Sequence, residues 1–169
     1  MAKKGSVNIK SIDFYSFASE LFKSRNNEAA AILMLKLFLM FGDLEKVLGV
    51  KKIERHRFEF SVCGGRIDLL LFHKDKGISI VEVKAQNDVR TILAGIGQLC
   101  LYEVGIRKKM VRRPPKYINR ILTAPIEPSV SLHIMEACEI AGVRFAHLPI
   151  YKLFSAEVNE LYKWVESHL

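Results

Sequence analysis

Polar and apolar residues alternate from Arg57 to Cys63: Phe58, Phe60 and Val62 fall on one side, and Arg57, Glu59 and Ser61 on the other. That period of two predicts a strand with one covered face. Gly64-Gly65 follows, and a pair of glycines that tolerate positive φ predicts a tight hairpin turn. Ile67 to Phe72 and Ile78 to Lys84 carry apolar residues on both faces, which predicts two central strands joined by a turn at Lys74-Asp75-Lys76-Gly77. Upstream the period lengthens: Phe14, Phe17, Leu21 and Phe22 form one stripe of a helix from about Ile12 to Lys23. After the polar break Ser24-Arg25-Asn26-Asn27, a second helix starts near Glu28 and is apolar nearly all round, as a helix buried under a sheet or in a subunit interface would be.

Downstream, the pattern predicts a helix from Val89 to about Arg107 and a strand from Tyr117 to Thr123. A helix from Pro128 to Ala141 has proline in its first turn and Gly142 as its stop. A short strand runs from Val143 to Leu148, and Ser155 caps a last helix striped by Val158, Leu161, Tyr162 and Val165. The order α-α-β-β-β-α-β-α-β-α predicts an α/β fold in which an antiparallel meander feeds parallel crossovers. No repeat or long linker interrupts it, so 1–169 reads as one domain: a helical segment over 1–50, a core over about 51–148, and a C-terminal helix over 155–168.

Two of the buried strands carry charge. Ile78-Ser-Ile-Val-Glu-Val-Lys84 sets Glu82 and Lys84 on one face, and Asp68 is the lone acid of the preceding strand. A turn centred near Asp75 and Lys76 places Asp68 across from Glu82 and Val83, to within a residue of register. Buried charges cost several kcal/mol each unless they are paired or bind something. Two neighbouring carboxylates repel, and Mg²⁺ or Mn²⁺ relieves that while taking oxygen ligands, with the Val83 carbonyl as a further donor. Lys84 would hold water and offset charge on phosphoryl oxygens. From spacing alone, a buried ion cluster without a catalytic role stays open.

Charge points the same way. Twenty-six Lys and Arg against eighteen Asp and Glu give +8, which favours polyanions as partners. Two basic clusters are candidates for nucleic-acid contact: Lys51, Lys52, Arg55 and Arg57 at the first strand, and Arg107, Lys108, Lys109, Arg112, Arg113 and Lys116 around Pro114-Pro115. Arg66, beside Asp68, is a further candidate for phosphate, on the opposite face of its strand. His56 and His73 lack metal-ligand spacing and read as surface or structural residues. Cys63, Cys100 and Cys138 form no CxxC pair, so neither a zinc ribbon nor an iron–sulfur cluster is expected. Free thiols, no signal-like start and no apolar run long enough for a bilayer lead us to expect a cytoplasmic, DNA-associated protein with no membrane partner. The apolar first two helices predict a homodimer.

Gly65-x-x-Asp68, thirteen residues, then Glu82-x-Lys84 resembles the PD-(D/E)xK nuclease signature, and Gln98-Leu-Cys-Leu-Tyr102 resembles the QxxxY element of RecB-type members. Gln98 and Tyr102, at i and i+4, share one helical face. With Ile-Leu-Thr-Ala-Pro and Ala-Gly-Val-Arg-Phe-Ala-His-Leu added, residues of roughly 55–148 are similar to the catalytic domain of NucS/EndoMS-type endonucleases, and the small core also looks like archaeal Holliday-junction resolvases. The resemblance implies a restriction-endonuclease-like core and a Mg²⁺- or Mn²⁺-dependent deoxyribonuclease acting by in-line attack of water. Asp68 and Glu82 would be metal ligands, Lys84 the water activator, Gln98 an orienting group, and Tyr102 a nucleic-acid contact. Many superfamily members place another acid on the helix before the first strand, for which Glu28 is the candidate and Glu20 its rival. A structure-selective endonuclease acting on branched, single-stranded or damaged DNA is favoured over an exonuclease. An inactive nucleic-acid-binding or assembly protein, or a ribonuclease, are the alternatives.

Overall fold

Strands that are greasy on both faces need cover on both, and this dictates the middle of the sheet. The computed structural model describes residues 31, 32, 35, 36, 39, 44–63, 65–84, 88–124 and 128–147. Five strands form one sheet in chain order: β1 (Ile53–Val62), β2 (Gly65–His73), β3 (Ile78–Val83), β4 (Ile118–Ala124) and β5 (Arg144–His147). The β1–β2 and β2–β3 pairs are antiparallel, and β3–β4 and β4–β5 are parallel. This is the mixed sheet expected of a restriction-endonuclease-like core. Helix α1 (Leu44–Leu48) precedes β1, α2 (Val89–Lys109) links β3 to β4, and α3 (Pro128–Ile140) links β4 to β5. The helices expected over 12–23 and 155–168, the acids Glu28 and Glu20, and with them the dimer expectation drawn from the first two helices, lie outside the described residues.

The sheet separates two apolar layers. On one side Leu70, Ile78, Ile80 and Leu122 pack against Ile92, Leu99 and Ile106 of α2 and Ile134 and Cys138 of α3. On the other, Leu69, Leu71, Val81, Val83 and Ile121 pack against Leu44 and Leu48 of α1 and the helical residues Ala31 and Leu35. All six residues of β3 are buried, as a central strand with two covered faces requires. Among the described residues α2 alone is long and apolar enough to cross a bilayer; its Ile92, Ile96, Leu99 and Ile106 are buried in the layer on the sheet, and its Leu93, Leu101 and Val104 are exposed.

Capping matches the local sequence. Asp88 accepts the Thr91 amide at 3.0 Å and so caps α2. At the end of α3, Gly142 takes φ +63°, the Val143 amide reaches the Cys138 carbonyl at 2.7 Å, and the Gly142 amide reaches Glu139 at 2.9 Å. These two bonds are the Schellman closure, which needs a left-handed residue where glycine stands.

Two features depart from the sequence reading. Gly65 is the first residue of β2, paired with Val62, rather than part of the turn, and its φ is not positive. Second, Glu59 adopts φ +53° inside β1, a left-handed conformation costing an L side chain about 1–2 kcal/mol. This breaks the alternation: Phe58 packs in the layer against α1, whereas Phe60 and Val62 pack in the layer against α2. The three do not share a face. The register is the same on both sides of the break, with Phe58 opposite Leu69 and Phe60 opposite Ile67.

His73 takes the structural role that the sequence reading allowed, buried at 3% exposure. Its Nδ1 faces the Lys51 carbonyl at 3.0 Å, an acceptor only, so Nδ1 carries the proton. Nε2 then accepts from the Ser79 hydroxyl at 2.7 Å, and Ser79 Oγ accepts from Asn119 at 3.2 Å. Ser79→Ala strips a partner from both neighbours. It is expected to cost about 1–3 kcal/mol in urea unfolding while leaving the opposite end of the sheet, and any activity there, intact.

Candidate active site

The acids come together because of the β2–β3 register. Leu69 lies opposite Val81, so one step on Asp68 lies opposite Glu82, and directly opposed residues of an antiparallel pair point to one side of the sheet. Asp68 Oδ2 accepts the Val83 amide at 2.7 Å, which pins that carboxylate at the end of the ladder. Glu82 alternates with Ile80 and Ile78, whose side chains lie in the α2 layer. The acids therefore face α2.

Lys84 completes the group. Its amide donates to the Thr123 carbonyl at 2.8 Å, which continues the parallel pairing with β4 one residue past β3. Its Nζ donates to Glu82 Oε1 at 2.6 Å and to Gln98 Oε1 at 2.5 Å. Gln98 in turn donates from Nε2 to the Tyr102 hydroxyl at 3.4 Å. Both ends of the ion pair are sheltered, with side-chain exposures of 13% for Lys84 and 4% for Glu82. At that burial the pair attracts strongly, but each charge has lost much of its hydration. Tyr102 reports on the same charges: burial foremost, then the Glu82 and Asp68 carboxylates, push its phenol above the usual range.

Two glycines shape this cluster. A Cβ on Gly65 would meet the Tyr102 ring at 2.8 Å, so the bare backbone of β2 admits that ring. Sequence reasoning assigned this glycine to turn geometry. Gly95 it missed altogether. A Cβ there would meet Leu122 at 2.7 Å and Lys84 Cε at 3.0 Å, so Gly95 lets α2 close over the lysine stem. The available signal was a mid-helix glycine, which costs about 1 kcal/mol relative to alanine and calls for a packing reason.

The structure thus brings together Asp68, Glu82, Lys84, Gln98 and the Val83 backbone. Tyr102, expected to touch nucleic acid, is only 4% exposed and stands behind Gln98 inside the core. Arg66 is exposed and pairs with Glu59 at 3.7 Å. The two basic clusters are each divided. Lys51, Lys52 and Lys116 are exposed at the Lys74–Gly77 turn, where the Lys74 amide bonds Lys52 and the Lys116 amide bonds Lys76, each at 3.0 Å. That is the end of the sheet away from the acids. Arg55, opposite Phe72, stands near that same end, whereas Lys109 stands over Phe60 of β1, and Lys108, Arg112 and Arg113 are exposed at and after the end of α2.

The donor set suits a hard dication. Asp68 and Glu82 stand opposite each other beside the Lys84 ammonium, and carboxylate oxygens are the ligands that Mg²⁺ and Mn²⁺ prefer. Among the described residues no group of three or more His, Cys, Asp or Glu side chains converges, so further ligands would be the Val83 carbonyl, solvent or substrate. A thiol or imidazole site for a softer metal is not assembled among them.

No family model matches the chain, and no curated protein matches it. Solved structures do resemble it. A repair endonuclease from Pyrococcus abyssi superposes with a TM-score of 0.45 at 17% identity, over 68% of this chain and 45% of that one. EndoMS in complex with double-stranded DNA gives 0.44 at 22% identity, over 68% and 42%. EndoMS in its apo form gives 0.42 at 18% identity, over 72% and 45%. This chain spans less than half the length of each.

Proposed function

We propose that the chain is a divalent-metal-dependent nuclease that hydrolyses DNA phosphodiester bonds, most simply as a structure-selective endonuclease. The observation that carries this reading is the facing pair Asp68 and Glu82 with Lys84 hydrogen-bonded to Glu82. Asp68 and Glu82 would hold Mg²⁺ or Mn²⁺, with the Val83 carbonyl beside them. The ion would supply Lewis acidity and charge neutralisation for phosphoryl transfer. Lys84 has three donors, two of them engaged by Glu82 and Gln98, and the third is available to position water or offset charge on a phosphoryl oxygen. Gln98 is a positioning residue: it fixes the ammonium, and Tyr102 fixes Gln98. The exposed Lys108, Arg112 and Arg113 would contact the backbone outside the centre.

Labelled single-stranded, duplex and branched DNA, incubated with the pure protein in EDTA, Mg²⁺ or Mn²⁺, test the reading. Cleavage that requires the ion and leaves 5′-phosphate ends is expected. Intact DNA of every form with both ions would overturn it.

A further inference from the structure

Three cations, two on the outer strand and one at the end of α2, are organised by aromatic rings. The Arg55 guanidinium lies 4.6 Å from the centroid of Phe72, its cross-strand neighbour. Arg57 lies 5.8 Å from Phe60, and Lys109 Nζ lies 4.6 Å from the same ring while donating to the Ser61 carbonyl at 3.1 Å. An ordinary strand would put Arg57 and Phe60, three apart, on opposite faces. The left-handed turn of the backbone at Glu59 throws Phe60 to the α2 side and brings them together. Lys109 arrives from the end of α2, so residues far apart in sequence meet over one ring.

We propose that Arg55, Arg57 and Lys109 form a track for the sugar–phosphate backbone of one nucleic-acid strand, leading to Asp68 and Glu82. This deepens the nuclease reading and rests on it. Arg55 and Arg57 stand opposite Phe72 and Leu70, which pack in the α2 layer, and so share a sheet face with the two acids. Two residues along a strand span about 6.7 Å, comparable to the step between successive phosphates of one strand. Among the described residues none of the three cations forms a salt bridge, unlike Arg66, Arg107 and Arg120. A ring under a guanidinium engages its π face and leaves its edge N–H groups for phosphate oxygens. Holding the heads in place also reduces the side-chain entropy lost on binding. Contacts of this kind position a strand without reading its sequence.

The test is anisotropy of a labelled single-stranded oligonucleotide in EDTA, so that binding is measured without cleavage, over a range of salt. Arg55→Gln/Arg57→Gln is expected to weaken binding and lower the magnitude of the slope of log K against log salt by about 1.4, roughly 0.7 per lost phosphate contact. Both side chains are exposed, so the thermal transition should not move. Lys46→Gln, at an exposed position of α1 across the sheet, should match the unaltered protein. An unchanged slope in the double variant, or an equal loss in Lys46→Gln, overturns the track. A parallel incubation of the unaltered protein with Mn²⁺ separates the two ideas, because failure to cleave sinks the nuclease reading, whereas the slope alone decides the track.

Discussion

Mn²⁺ is expected to raise the melting temperature of the unaltered protein and to leave that of Glu82→Gln where it was. An ion that binds only the folded state stabilises it by about 2.7 kcal/mol at a hundred times its dissociation constant. In a chain of 169 residues each kcal/mol moves the midpoint by about 2–4 °C, so the shift should be roughly 5–11 °C. Glutamine keeps the shape of Glu82 and can still accept from Lys84, but it removes one of two facing negative charges. The ion then loses a ligand charge in a site where charge is its main attraction. Metal-dependent cleavage should fall at least 10²- to 10³-fold, the scale seen when one preorganised electrostatic contact is lost. Asp68→Asn should do likewise, with an added cost in the metal-free protein because the Val83 amide would exchange a charged acceptor for a neutral one. A full Mn²⁺-dependent shift in Glu82→Gln would remove these carboxylates from the metal site.

Why so much of this centre could be read from the chain is a matter of period and polarity. Asp68 and Glu82 stand out because they interrupt buried strands, and the turn at Lys74–Gly77 counts off their register to within a residue. Gln98 and Tyr102 are legible as a helical pair, because one turn of helix is a short-range rule. What escaped needed information of another kind. Glu59 has no intrinsic preference for φ +53°, so nothing local announced that Phe58 and Phe60 would part company. Tyr102 reads as a nucleic-acid contact until Gly65 is seen making room for its ring. The basic residues were grouped by neighbourhood in sequence, yet the fold regroups them. Lys52 and Lys116 meet at the far turn, and Arg57 and Lys109 at Phe60. Long-range regrouping follows from how α2 crosses the sheet, and no window of the sequence contains it.

Lys84→Met should separate the catalytic from the structural work of the lysine. In the metal-free protein, removing the ammonium leaves Glu82, 3% exposed, and Asp68 facing each other with no cation from this side chain. Breaking a buried pair by deleting one partner costs about 3–5 kcal/mol, and the facing carboxylates repel as well. The variant should therefore melt well below the unaltered protein in EDTA. Mn²⁺ should then restore more stability to it than to the unaltered protein, since the ion replaces the missing positive charge. Cleavage should nonetheless remain depressed by about 10²-fold or more, because the ion cannot replace a hydrogen-bond donor aimed past Glu82 and Gln98. If melting recovers with Mn²⁺ while turnover does not, Lys84 acts on the reacting phosphate as well as on Glu82. Recovery of both would reduce the lysine to a counter-ion and leave Asp68 and Glu82 to carry the chemistry.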